Sequence, residues 1–353
     1  MAEYIVQGES LTAIADAIRS NTEITGTMTL AEMATAIDEM ATANNEISNK
    51  YESTRTALED LIDRDIIDIS FIEDGRTKIG AHAFAKCYYI EAETLPDSIE
   101  KIGSYAFYHC VRLPLTSLPK SLVTIDEYAF FGCNNLSLTE LPDSLTRIGP
   151  EAFHACKMLK ITSIPNGITE IYTSTFEACV GIETITLPEG LTYIGNYAFA
   201  SCSGLKTITL PGTLTSINPY AFFKCTSLES LDLPVGLTDI SNSAFEDCSG
   251  LKAVSLPEAL TSIQQLAFIN CVSLETVVFP SGLANIYAKA FCNCSNLSKI
   301  TFRGTPDFIA SNAFEGCTTL ATINVPWSEG AIANAPWGAS NATINYDYVE
   351  VTE

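Results

Sequence analysis

Apolar residues return along this chain at a fixed interval of 23 residues. The clearest marker is Phe-x-x-Cys, whose phenylalanines are Phe84, Phe107, Phe130, Phe153, Phe176, Phe199, Phe222, Phe245, Phe268, Phe291 and Phe314. Alanine precedes each of them except Phe176, which follows Thr175. With the phenylalanine as position zero, position +3 is cysteine and position +6 is Leu or Ile. Position +11 is Leu, Ile, Phe or Val, and position +18 is isoleucine from Ile102 to Ile309. A period without insertion or deletion means that each unit meets its neighbour in the same way, which predicts a solenoid with one long core. The alternation Leu205-Lys206-Thr207-Ile208-Thr209-Leu210 predicts a short strand, ended by Pro211, which cannot donate to a ladder. Residues 214–222, with apolar spacings of three, four and one, suit a second short strand or a helical turn. Equivalent residues should stack about 4.8 Å apart, so eleven rungs would extend on the order of 50 Å.

Two departures from the period carry information. In early rungs the apolar residue before the strand lies one place upstream, at Leu115, Leu138 and Ile161, whereas from Ile185 onward it takes the place of the threonine. A slip of one residue reverses side-chain direction, so a bulge or altered strand start is expected there. Near the end Arg303 replaces the usual proline and Pro306 the usual leucine, as in a capping unit. Residues 327–353 read as that cap, with Trp327 and Trp337 large enough to cover an open core and Thr343-Ile344-Asn345-Tyr346 as a last strand. The alternative use of the tryptophans is a ligand platform.

Residues 1–66 lack the repeat. Leu11, Ile14, Ala15 and Ile18 form a helical stripe, and Thr29 to Glu32 form a capping box that opens a second helix. That helix continues into a seam of Ile37, Met40, Asn44, Ile47, Tyr51, Thr54, Leu58 and Leu61, spaced alternately by three and four. This is the spacing of a coiled coil, in which Asn44 would set register. A single amphipathic helix lying on the first rung is the other reading. The chain thus divides into a helical attachment and oligomerisation segment (1–66), the repeat region (67–326) and the cap (327–353).

Composition narrows the function classes. The 353 residues are 47% hydrophobic and carry a net charge of −23, which repels nucleic acid and anionic membranes. No segment reaches the roughly 20 apolar residues of a membrane span, and the first residues show no basic start and apolar run of a secretory leader. Eleven of the twelve cysteines occupy position +3, which reads as a ladder of buried thiols; stacked side chains point the same way and pair poorly. Cys292 and Cys294 are too close to share a zinc site and alternate in direction. His82, His109 and His154 fall at three different rung positions, so no metal or acid–base cluster is expected, and no catalytic motif or cofactor signature is found. The chain reads as non-enzymatic.

One surface feature stands apart. Tyr105, Tyr128, Tyr197 and Tyr220 occupy position −2, and Tyr108, Phe131 and Phe223 occupy position +1. They would form either an aromatic ridge for a sugar or protein partner, or local packing between residues three apart. Thr186, Thr209, Asp232 and Ser255 would line a second, polar column.

The rung Leu-Pro-x-x-Leu-x-x-Ile-x-x-x-Ala-Phe-x-x-Cys-x-x-Leu resembles the BspA-type leucine-rich repeat over roughly residues 69–326. The resemblance implies an α/β repeat, a leucine-rich-repeat solenoid of eleven 23-residue rungs, used for adhesion or protein binding. The head, Ser10 to Arg19 followed by Thr27 to Met33, resembles the N-terminal segment of tail-associated proteins of phages and prophages of gut Firmicutes. Val325 to Ser328 and Pro336 to Ala339 resemble the endings of similar proteins. These likenesses imply a virion tail protein assembled in the bacterial cytoplasm, a trimer before a dimer, attached to other tail proteins through its head and to a host-surface protein or glycan through its repeats. From the charge and the missing motifs, no nucleic-acid partner, membrane insertion, cofactor or metal is expected. A bacterial surface or exported adhesin is the alternative.

Overall fold

The computed structural model describes residues 75–88, 90–91 and 93–349, and the backbone of 67–68. The predicted helices and the seam of Ile37, Met40, Asn44, Ile47, Tyr51, Leu58 and Leu61 lie outside them. The chain falls into two compact units, one ending at Leu159 and one beginning at Lys160. Both are parallel β-solenoid with a 23-residue register.

In the first unit, Lys78–Ile79, Lys101–Ile102, Thr124–Ile125 and Arg147–Ile148 form a four-stranded parallel sheet. In the second unit the same position forms strands from Glu170–Ile171 to Phe308–Ile309. The isoleucine points inward in all of them, because position +18 is the apolar half of a two-residue alternation. The other predicted strand is present in the second unit as Thr184–Thr186, Thr207–Thr209, Ser230–Asp232, Ala253–Ser255 and Thr276–Phe279. In the first unit no strand occupies residues 113–118 or 136–141. Leu115 and Leu138 are fully buried there, so the shifted apolar residue turns into the core and the alternation that would make a ladder is lost. Ile161 in the second unit is likewise buried, and its rung contributes only the bridge from Ser163 to Thr186.

The α component expected of the repeat is corrected: no helix occurs among the described residues. Residues 214–222 contain the strand Ser216–Ile217 and then turns. The physical reason is a left-handed backbone at positions −2 and +2, as at Tyr105 (φ 58°) and His109 (φ 56°), or Tyr197 (56°) and Ser201 (58°). Left-handed residues every fourth place forbid a right-handed helix. They produce a run of tight turns. The N–H groups of Ala106, Tyr108 and Cys110 close turns on the carbonyls three residues back, while those of Tyr105, Phe107 and His109 donate to Glu127, Ala129 and Phe131 of the next rung. Alternate amides therefore serve the turn and the stack, and the segment leaves these backbone donors satisfied.

Phenylalanine rings fill each core in register. Neighbouring centroids are 5.3 Å apart for Phe84–Phe107 and for Phe107–Phe130, with interplanar angles of 16° and 2°. The second unit repeats this from Phe176–Phe199 to Phe291–Phe314, at 5.4 Å in both cases. The cysteines are free. Cys87 donates to Ala85 at 4.0 Å, while other ladder thiols donate to the phenylalanine carbonyl of the preceding rung, as Cys110 to Phe84 at 2.9 Å, Cys133 to Phe107 at 3.0 Å and Cys225 to Phe199 at 3.2 Å. The same carbonyl accepts the N–H of its own rung's cysteine, so its two lone pairs are both used. Burial pushes the thiols of Cys110, Cys133 and Cys225 well up, and those of Cys202 and Cys248 up to about 12, whereas the hydrogen bond with Cys294 lowers that of Cys317. Cys292 and Cys294 are both buried; Cys294 joins the ladder by donating to Phe268, and Cys292 occupies position +1.

The tail closes the second unit. Thr343–Asn345 pairs in parallel with Thr322–Asn324. Trp337 is fully buried, its indole N–H donates to Ala333 at 2.9 Å, and its carbonyl accepts the N–H of Phe314. Phe302 meets Trp327 and Trp337 edge-on at 5.2 and 6.0 Å. Both indoles cover core, which corrects the reading of them as a ligand platform.

Candidate ligand-binding surfaces

The turn segment positions the aromatic residues. Positions −2 and +1 are the two ends of one tight turn, so their side chains leave the same edge of the rung as adjacent columns. In the first unit Tyr105 stacks on Tyr128 at 4.6 Å and 10°, and Tyr108 stacks on Phe131 at 5.1 Å and 28°. Tyr105 and Tyr108 approach to 5.3 Å, and Tyr128 and Phe131 to 5.9 Å, which joins the columns. In the second unit Tyr197 stacks on Tyr220 at 4.7 Å and 2°, and Phe223 stands edge-on to Tyr220 at 5.8 Å. The Lys224 ammonium lies 4.8 Å above the Phe223 ring. The structure thus places the seven aromatic residues in two groups, one on each unit.

The histidines belong to the first group, which the sequence reading missed. His82 stacks on Tyr105 at 4.8 Å, His109 meets Tyr108 edge-on at 4.4 Å, and His154 stacks on Phe131 at 4.5 Å. They share no column, as read, but positions −2, +1 and +2 are neighbours across the turn. Glu151 completes the group. It accepts a 2.7 Å hydrogen bond from the Tyr128 hydroxyl, and its other oxygen lies 3.6 Å from His154 Nδ1. The hydrogen bond to Glu151 pushes the Tyr128 phenol up to about 12. Among the described residues no set of His, Cys, Asp and Glu has the arrangement of a metal site.

The seven tyrosine and phenylalanine rings are half-buried, and His82 is exposed. Where the rings stack face to face, as Tyr105 on Tyr128, Tyr108 on Phe131 and Tyr197 on Tyr220, the stacked faces cover one another and leave edges and phenol oxygens outward, while Phe223 stands edge-on with Lys224 over its face. Such a surface can hydrogen-bond a partner and receive apolar or carbonyl groups against ring edges. It is less suited to stacking a sugar on an open ring face. Packing and surface are therefore the same feature.

Four other columns face outward on the second unit. Thr184, Thr186, Thr207 and Thr209 are exposed and in register, and Asp232 pairs with Ser255 in the same pattern. On another edge the hydroxyls of Thr192, Thr215 and Thr261 donate to the carbonyls of Thr169, Thr192 and Thr238. Glu183 and Lys206 pair at 2.7 Å and Glu229 and Lys252 at 3.3 Å, in an alternating ladder that is open to solvent and contributes little stability.

The profile of the BspA type Leucine rich repeat region matches in six copies, over residues 77–206, 169–298 and 215–335. Among solved structures the chain is similar to a leucine-rich repeat protein from Bacteroides ovatus, at 25% identity and TM-score 0.40, covering 76% of this chain and 87% of that one. It is also similar to a leucine-rich cell surface protein from Faecalibacterium prausnitzii, at 24% identity and TM-score 0.42, covering 76% and 86%. The pneumococcal vaccine antigen PcpA is similar at 21% identity and TM-score 0.47, covering 77% and 85%. No curated protein matches. The repeat profile covers most of the chain, and its phenylalanine, cysteine and isoleucine positions are the stacked interior columns just described: the chain belongs to the BspA-type leucine-rich-repeat family.

Proposed function

We propose that this protein is a non-enzymatic binding protein of a phage tail, whose solenoid contacts a protein or glycan on the host surface and whose first 66 residues attach it to other tail proteins and associate it with itself, as a trimer before a dimer. The observation that carries the binding role is the division of labour within the rung. Interior columns are nearly invariant from rung to rung, while the outward columns differ between the units and gather aromatic and polar groups. A repeat scaffold of this kind uses its surface as the variable part. The tail assignment rests on the resemblance of residues 10–33 to tail-associated head segments.

The aromatic groups are the proposed contact surface, through Tyr105, Tyr108, Tyr128 and Phe131 on one unit and Tyr197, Tyr220 and Phe223 on the other. The test is binding of the full chain to intact host cells. Replacing Tyr105, Tyr128, Tyr197 and Tyr220 together by Ser should abolish it while the β-type circular dichroism persists. Unchanged binding removes these residues from the role. Deleting residues 1–66 should reduce the oligomer to a monomer; an unaltered oligomeric state refutes the proposed head.

A bacterial surface adhesin is the second reading, favoured by the family itself, whose resemblance implies adhesion. Gene neighbourhood separates the two, since tail genes support the first and cell-envelope genes the second.

A further inference from the structure

The alternating ladder of the second unit is longer than its two ion pairs. Position +7 carries Lys160, Glu183, Lys206, Glu229, Lys252 and Glu275 in six successive rungs, and no other position of those rungs is charged in every one. The backbone holds the column in register. The N–H of Lys206 donates to Glu183 at 2.8 Å, that of Glu229 to Lys206 at 3.1 Å, that of Lys252 to Glu229 at 2.9 Å and that of Glu275 to Lys252 at 3.1 Å. Lys160 stands at the head of the column. The Glu183 carboxyl is held below its ordinary value by the hydrogen bond and charge of Lys206 and by the charge of Lys160.

Fold stability does not account for this order. Glu183 and Lys206 keep 65% and 52% of their side chains exposed while paired, and Glu229 and Lys252 keep 57% and 59%. Pairs so open to water contribute little to the fold. The flanking positions +5, from Gly181 to Ser273, and +8, from Thr184 to Thr276, hold only Gly, Ser, Thr or Ala. The charges therefore rise above short, uncharged neighbours, and a second surface can reach them.

The order of signs fixes which surface fits. Six alternating charges that begin with a cation and end with an anion become their own complement after a half rotation about an axis between Lys206 and Glu229. Lys160 then faces Glu275, Glu183 faces Lys252 and Lys206 faces Glu229, each contact occurring twice. Such self-complementarity is what a two-fold interface between identical chains requires. A parallel arrangement in register would set every charge against its like. Residues 160–353 carry seven Lys and Arg against seventeen Asp and Glu, and three of the seven cations lie in this column. It is thus a neutral stripe on a unit that otherwise repels its own copies.

We propose that this column is an interface between two copies of the chain, which pack their second units side by side and antiparallel with the charges interleaved. The pairing is separate from the association assigned to residues 1–66 and leaves the aromatic surface out of the contact. Its contacts are exposed ion pairs, so it is weak and sensitive to salt.

The test is zero-length coupling of lysine to carboxylate by a carbodiimide, on a mixture of isotope-labelled and unlabelled full chain at low salt, followed by peptide mapping. Within one chain Lys160 and Glu275 are five strand spacings apart, about 24 Å, and Glu183 and Lys252 three, about 14 Å. A direct amide spans neither gap. Links Lys160–Glu275 and Glu183–Lys252 between labelled and unlabelled chain should form, and should fall severalfold at about 1 M salt, where the Debye length is about 3 Å. The link Lys206–Glu183 within a chain should persist. A variant with Lys160→Glu, Lys206→Glu and Lys252→Glu should not couple to itself, nor should one with Glu183→Lys, Glu229→Lys and Glu275→Lys, whereas a mixture of the two should couple across the column. Links confined to single chains, cross-chain links in a parallel register, or folded variants that fail to couple when mixed each overturn the proposal. Should either variant fail to fold, the link map of the parent decides alone.

Discussion

Ser201 offers a direct test of the turn geometry. Its φ is 58°, its N–H donates to Phe223 of the next rung at 2.6 Å, and its side chain is half-exposed. A side chain with a Cβ pays roughly 1–2 kcal/mol to hold the left-handed conformation. Glycine avoids that cost but loses about 0.4–1 kcal/mol through the greater freedom of its unfolded chain. Ser201→Gly should therefore be more stable than the parent by a few tenths to about 1 kcal/mol. Ser201→Val adds a branched Cβ to the same backbone and should lose about 1–3 kcal/mol. The contrast reverses at Thr207, an exposed strand residue, where glycine should cost about 1 kcal/mol. Urea unfolding with an unchanged slope measures all three. If Ser201→Gly is less stable than Ser201→Val, the left-handed turn is not what shapes the rung.

Other expectations are briefer. Cys225→Ala removes a buried sulfur and its hydrogen bond to Phe199, and should cost about 1–3 kcal/mol in the same assay. The buried thiols, raised to about 12 at Cys202 and Cys248, stay protonated in the fold while unfolded thiols ionise near 9.0. The unfolded state then binds fewer protons, so stability should fall as pH rises from about 9 toward 12, and Cys202→Ala should make that fall shallower in urea midpoints taken across the range. A thiol reagent at pH 8 should modify the eleven buried cysteines of the native protein slowly and all twelve after denaturation; fast native reaction at any cysteine but the half-buried Cys87 contradicts the ladder. Trp337→Ala opens the capped end and should lose about 3–5 kcal/mol, read by thermal unfolding.

Much of the fold was legible because its strongest term is apolar burial at a constant period. The stack of Phe107, Phe130 and Cys133, the inward isoleucines, the altered ladder at Leu115 and Leu138 and the covering tryptophans all follow from which positions are apolar. The turn segment was not legible as a turn, because apolar spacing reports which side is buried and not the sign of φ. A signal existed. The left-handed positions carry His82, Lys86, Tyr105, His109, Glu151, Ala155, Ser201, Asp247 and Asn293 among others, and glycine at Gly132 and Gly316, with no Val, Ile or Thr. Branched side chains are strained most there. Their absence was the trace of the conformation, visible once the columns are read for what they exclude.

The same geometry explains why His109 was not read with the aromatic surface, whereas His82 and His154, each 23 residues from a ring of that surface, continue its columns and were legible there. A column is visible in sequence because its members are 23 residues apart, as Tyr105 and Tyr128 are. A contact between columns depends on how the turn folds, and Phe131 reaches His109 only because positions +1 and +2 lie on one edge, whereas His154 follows Phe131 in its own column. Within a rung, each outward side chain is therefore coupled to a neighbour in its own turn and to one in the next rung. Ser at Tyr128 would release Glu151 as well as a ring, since the phenol holds that carboxylate at 2.7 Å. Tyr128→Phe separates the two roles: it keeps the stack on Tyr105 and loses only the hydrogen bond. If the surface acts through ring edges, Tyr128→Phe should bind host cells as the parent does. If it acts through its hydroxyls, the single loss should weaken binding by roughly tenfold, the worth of one hydrogen bond to a charged group. A parent-like Tyr128→Phe beside an inactive Tyr128→Ser would assign the contact to the rings.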